Sequence, residues 1–148
     1  MNLMEIVRKM NVPVEFFYKT IIDSVLSDIH SQTGKKVSEK QLTGFEYVKT
    51  FSKNSKATVR IEEVTKNNSY QYRTTSNKND FIVAYKIRPL TEESCQLHYT
   101  EKMESFGYLQ KLNDAFIGIV WSPLKKRRFK EMLKQIEASY LNGAKKSG

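Results

Sequence analysis

Five consecutive segments between Phe45 and Met103 alternate apolar or aromatic side chains with polar ones, and this limits the chain to a layered sheet. Phe45, Tyr47 and Phe51 share a phase, with Lys49 the exception. Ala57, Val59 and Ile61 oppose Thr58, Arg60 and Glu62, and Tyr70 and Tyr72 oppose Gln71 and Arg73. Phe81, Val83, Tyr85 and Ile87 oppose Lys86 and Arg88; Cys95, Leu97, Tyr99, Glu101 and Met103 oppose Gln96, His98, Thr100 and Lys102. Successive side chains of a strand point to opposite faces, so such a run predicts a sheet with one wet face and one buried face. The intervening segments, Lys53-Asn54-Ser55, Lys66-Asn67-Asn68, Ser76 to Asp80 and Pro89 to Ser94, are rich in turn-formers. They predict antiparallel hairpins.

A half-buried sheet needs a cover, and Tyr108 to Leu141 offers one. Leu109, Leu112, Phe116 and Val120, then Phe129, Leu133, Ile136 and Tyr140, recur at steps of three and four, which places each set on one helical stripe. Ser122-Pro123 interrupts the pattern. Serine then proline suits an N-cap and first helical turn, whereas proline inside a helix kinks it. The sequence reading is one long helix kinked there, because Lys125-Lys126-Arg127-Arg128 would crowd cations at the positive end of a restarted helix.

Ahead of the sheet, Leu3 to Val12 reads as a strand with Met4, Ile6 and Met10 on one face. A helix then runs from Pro13 to Thr33, stopped by Gly34, with Phe17, Ile21, Val25 and Ile29 as its buried stripe. Ser38-x-x-Gln41 has the spacing of a capping box and predicts one short helical turn.

The 148 residues suffice for one domain, expected over 1–141, followed by a flexible basic tail at 142–148. No apolar run has the length of a membrane span, and the charged N-terminus lacks the apolar core of a secretory signal. Cys95 is the sole cysteine, so no internal disulfide can form. These features predict a cytoplasmic protein. Net charge is +9, and from Pro123 onward eight Lys/Arg face two Glu. Such a surface attracts anions: Lys125, Lys126, Arg127, Arg128 and Lys130 are a candidate contact for an anionic membrane or acidic partner. No aromatic–basic sheet face or helix-turn-helix argues for specific nucleic-acid binding.

Strand, helix, antiparallel meander and closing amphipathic helix make an α+β pattern. It resembles the helix-grip fold of the START and Bet v 1-like superfamily, in which a curved sheet wraps a long C-terminal helix over an apolar cavity. Asn11-Val12-Pro13-Val14-Glu15-Phe16-Phe17 looks like that superfamily's strand-to-helix entry. The Gly44–Phe51, Tyr99–Ser105 and Lys125–Glu137 segments look like a family of small uncharacterised proteins from Gram-positive bacteria. The resemblance implies an architecture of about six strands and transfers no catalytic residue.

Chemistry is sparse. No phosphate loop, His/Cys metal spacing or cofactor motif is present, so neither metal nor cofactor is expected. The unusual feature is polar groups on the inward phase: Tyr47, Tyr70, Tyr72, Tyr85, Tyr99 and Glu101, with Lys49 a candidate counter-charge for Glu101. With Phe116 and Val120 from the covering helix they are expected to line a cavity for a small hydrophobic or amphipathic ligand. An enzyme using Glu101 as acid or base is the less favoured reading.

Overall fold

The computed structural model describes residues 2–76, 79–105 and 123–147. Strand β1 (Asn2–Met10) leads into helix α1 (Val14–Thr33) and a 3-10 turn (Glu39–Gln41). Strands β2 (Glu46–Ser52), β3 (Ser55–Thr65), β4 (Ser69–Thr75), β5 (Asn79–Thr91) and β6 (Ser94–Ser105) follow, then helix α2 (Pro123–Ser147). The six strands form one antiparallel sheet in the order β1-β6-β5-β4-β3-β2. This is the predicted meander, with β1 returning to pair with the last strand.

Local signals account for the joints. Gly34 takes a left-handed φ of 73° and its N–H caps the His30 carbonyl, which ends α1. Gln41 Oε1 accepts from the Ser38 N–H at 2.9 Å, closing the predicted short turn. Asn67 sits at φ 58° in the β3–β4 turn, a conformation asparagine tolerates better than most side chains. A register shift between Ile61 and Glu63 inserts an extra residue in β3, so that Ile61 and Val64 both pack on the core face. Bulges of this kind bend a strand and curve the sheet around what it covers.

The inward phase is the one expected: Val59, Ile61, Tyr70, Phe81, Val83, Ile87, Leu97, Tyr99 and Met103 are buried. On the outer face Arg73 bridges Glu62, Asp80 and Glu104 at 3.0, 2.6 and 3.1 Å, tying four neighbouring strands together. Both helices lie on the inner face. α2 is fixed by Leu133 and Ile136, by the Arg8–Glu137 ion pair at 2.7 Å, and by Phe16–Tyr140 packing. Leu133 is fully buried, so Leu133→Ala should cost about 2–5 kcal/mol in urea titrations. A loss no larger than that of an exposed substitution would mean that α2 does not close the sheet.

The described part of α2 runs from Pro123, the position expected to kink one long helix, and its backbone continues through 142–147, the segment expected as a tail. Whether a kink joins it to an earlier helix falls on 106–122, outside the described residues, as do Leu109, Leu112, Phe116 and Val120. Among the described residues no helix is long and apolar enough to cross a membrane.

Candidate functional site

Antiparallel register turns the inward tyrosines into a row. Tyr70 lies opposite Tyr85, and Tyr85 opposite Tyr99, on three adjacent strands. Their ring centroids are 5.9 and 4.8 Å apart, and Tyr72 lies 5.6 Å from Tyr70. Phe129 of α2 stacks on Tyr99 at 4.0 Å and covers that end of the row. Toward the other end a cavity of about 340 Å³ lies between the sheet, α1 and α2.

Five of the expected lining residues, Tyr47, Lys49, Tyr70, Tyr72 and Tyr85, form part of the wall. Apolar area comes from Ile21, Val25, Phe51, Val59, Phe81 and Met132. Tyr99 and Glu101 sit beside the cavity rather than on its wall. Two polar constellations flank the space. Toward β2, Asp28 Oδ2 accepts from the Tyr47 hydroxyl at 2.6 Å and pairs with Lys49 Nζ at 3.1 Å. Beneath α2, Glu101 Oε1 accepts from the Tyr99 hydroxyl at 2.6 Å and pairs with Lys125 Nζ at 2.9 Å. Each unites a phenol, a carboxylate and an ammonium.

This corrects the expected partner of Glu101. Lys49 cannot reach it, because β2 and β6 are four strand spacings apart, about 19 Å at the usual separation. The cation that answers Glu101 is Lys125, which was expected on the anion-binding surface. It lies four residues before Phe129 and eight before Leu133, so the buried stripe carries it inward, over the Phe81 ring at 4.4 Å. Lys126, Arg127, Arg128 and Lys130 remain exposed, as expected. Asp28 was missed, although the signal was present: it lies seven residues after Ile21, a carboxylate on an apolar helical stripe.

Burial raises the hydroxyl pKa of Tyr70, Tyr72 and Tyr85 above the usual phenol range, and neighbouring phenols or carboxylates push the same way. Burial also raises Tyr47 and Tyr99, assisted by the hydrogen bonds to Asp28 and Glu101. At neutral pH these groups are therefore hydrogen-bond donors. Among the described residues the hydroxyls of Tyr70, Tyr72 and Tyr85 have no protein acceptor. Cys95 is buried against the core, its thiol pushed up to about 11, chiefly by burial, and so is no nucleophile. His98 is exposed beside Glu5 at 3.3 Å. Among the described residues no cluster of His, Cys, Asp or Glu is arranged to hold a metal.

The family described as a domain of unknown function, DUF3284, matches residues 4–122, most of the chain. The protein is a DUF3284 member. A comparison with curated proteins finds no match. Among solved structures, the DUF3284 chain is similar to protein CV1439 of Chromobacterium violaceum (19% identity, 95% of this chain and 98% of that one, TM-score 0.57). It is also similar to Ara h 8.0201 (13% identity, 94% and 97%, TM-score 0.61). A third is norcoclaurine synthase of Thalictrum flavum, solved with dopamine and hydroxybenzaldehyde (8% identity, 94% and 86%, TM-score 0.59). At these identities the likeness is one of fold: a helix-grip architecture for this DUF3284 chain.

Proposed function

We propose that this protein binds a small amphipathic ligand in the cavity between sheet, α1 and α2, and acts by sequestering or sensing it in the cytoplasm. The observation that carries the reading is a mostly apolar cavity of about 340 Å³ whose wall includes three phenols without an acceptor among the described residues. Small-molecule sites have this character: concave, mostly apolar, about 300–1,000 Å³, with a few placed polar groups. Tyr70 is buried and Tyr72 and Tyr85 are half-buried, so the cavity is where their hydroxyls can meet an acceptor, from a ligand or from water. The T. flavum enzyme of the same fold, crystallised with two aromatic molecules, lends support by analogy.

Filling the cavity tests this. Val59 lines it, and Val59→Phe should leave the melting temperature unchanged or raised while reducing uptake of the neutral fluorophore N-phenyl-1-naphthylamine. Were the space packed to ordinary interior density, the same change would cost about 1–3 kcal/mol and neither protein would take up dye. That result would end the ligand-cavity reading.

A second reading rests on α2's outer side, where Leu124, 51% exposed, sits beside exposed Lys126, Arg127, Arg128 and Lys130. An apolar side chain among cations suits an anionic membrane surface. Replacing the four cations with glutamine should reduce pelleting with phosphatidylserine vesicles at low salt and leave stability nearly unchanged. If the wild type does not pellet at low salt, this face is ordinary solvated surface.

A further inference from the structure

We infer that the cavity selects an anionic ligand with an aromatic body, an aryl carboxylate, over its neutral and cationic analogues. The inference rests on the ligand-binding reading and adds the ligand's charge and shape.

Hydrogen-bonding capacity on the wall is unbalanced. Among the described residues, the ammonium groups of Lys49 and Lys125 only donate, while the hydroxyls of Ser24, Thr74, Tyr70, Tyr72 and Tyr85 can donate to an anion or accept. Asp28 is the one carboxylate on the wall among the described residues, and its Oδ2 already accepts from both Tyr47 and Lys49. Glu101, the other carboxylate nearby, is 1% exposed and lies off the wall, whereas Lys125, its partner, is 27% exposed and on it. Positive charge thus faces the space while half of the compensating negative charge lies behind it. An anionic guest can engage two ammonium groups and several hydroxyls at once, whereas a cationic guest meets only neutral hydroxyl oxygens and the already engaged Asp28 among the described residues.

The aromatic part follows from the walls. The Tyr70–Tyr72–Tyr85 cluster and the rings of Phe51 and Phe81 bound the cavity, and aromatic rings pack on one another in offset or edge-on arrangements. A cationic guest could in principle lie over these faces. Two of them are taken, however: Lys49 Nζ lies over Phe51 at 5.6 Å, and Lys125 Nζ over Phe81 at 4.4 Å. An ammonium guest would also meet both lysines at close range.

Three probes of one shape isolate the charge: 2-naphthoate, 2-naphthamide and 2-naphthylmethylammonium, titrated calorimetrically against the full chain at neutral pH and low salt. Naphthoate should bind roughly tenfold or more tighter than the amide, as one charge-assisted hydrogen bond provides, and the ammonium should bind weakest. Glu101→Gln removes the hidden negative charge and should tighten naphthoate severalfold with the amide unchanged. A purely structural role for Glu101 would not move the two probes apart. Lys125→Met combined with Glu101→Gln strands no buried carboxylate, and should bring naphthoate down toward the amide. Equal affinities for naphthoate and amide, or tightest binding of the ammonium, would overturn the anion inference and leave the cavity reading standing. Failure of all three probes to bind would overturn both.

Discussion

Raised above about pH 10, the protein is expected to unfold over a narrow pH interval, with loss of far-ultraviolet circular dichroism coinciding with the appearance of phenolate absorption. Tyr47, Tyr70, Tyr72, Tyr85 and Tyr99 all hold their protons more tightly folded than free, burial being the first cause in each. In the unfolded chain their hydroxyls ionise near pH ~10, so above that value the unfolded state binds fewer protons than the folded one. Stability then falls with pH. The contribution is fully present below the unfolded pKa and is lost as pH rises toward the folded values. Each group contributes a slope of about 1.4 kcal/mol per pH unit, so five acting together give about 7, comparable with the whole stability of a typical domain. Cys95 works with the same sign, from the ordinary thiol range up to about 11. If the phenols instead titrate gradually near pH ~10 while the dichroism persists, the tyrosine face is open to solvent and the donor-rich wall loses its basis.

The sheet was legible because its evidence is local. Alternation in β5 and β6 places Tyr85 and Tyr99 on one face whatever the tertiary structure, and the turn between Pro89 and Ser94 fixes their strands as a hairpin. Gly34 and the Ser38–Gln41 spacing likewise act within a few residues of themselves. Strand order is a different kind of information. The four hairpins from β2 to β6 already set those two strands four apart, whereas the pairing of β1 with β6, about 90 residues away in sequence, is encoded by no local period. Lys49 and Glu101 were both visible as charges in an apolar phase, yet nothing local says which cation answers which anion.

The site shows the same division. The lining tyrosines follow from phase, whereas Asp28 and Lys125 come from the two covering helices. On a helix the boundary between buried stripe and wet face is gradual, and a long lysine side chain can be assigned to either. Lys125 reads as one of a cationic run beside Lys126, Arg127 and Arg128; only docking of α2 through Phe129 and Leu133 turns it inward. A polar residue at helical spacing from core residues, as Asp28 is from Ile21 and Lys125 from Phe129, is the signal that would have identified both.

Lys125→Met should destabilise the protein by about 3–5 kcal/mol, toward the lower end because Lys125 itself is 27% exposed and its charge partly screened. The loss comes from what remains. Glu101 is 1% exposed, its Oε1 accepts from Tyr99 and pairs with Lys125, and its Oε2 has no partner in the described protein. Removing the ammonium leaves a buried carboxylate supported, among the described residues, by a phenol alone, while methionine preserves most of the apolar stem over Phe81. Lys19→Met is the matched control: Lys19–Asp23 is an exposed i,i+4 pair, 77% and 59% accessible, and its loss should cost under about 0.5 kcal/mol. The decisive arm adds Glu101→Gln to Lys125→Met. A neutral amide can still accept from Tyr99 and needs no counter-charge, so the double variant should recover most of the stability lost by Lys125→Met alone. Urea titrations of the four proteins in the cycle read the coupling directly. Should Lys125→Met cost no more than Lys19→Met, Glu101 does not depend on that ammonium, and the pairing of α2 with β6 rests on Phe129, Leu133 and their apolar neighbours alone.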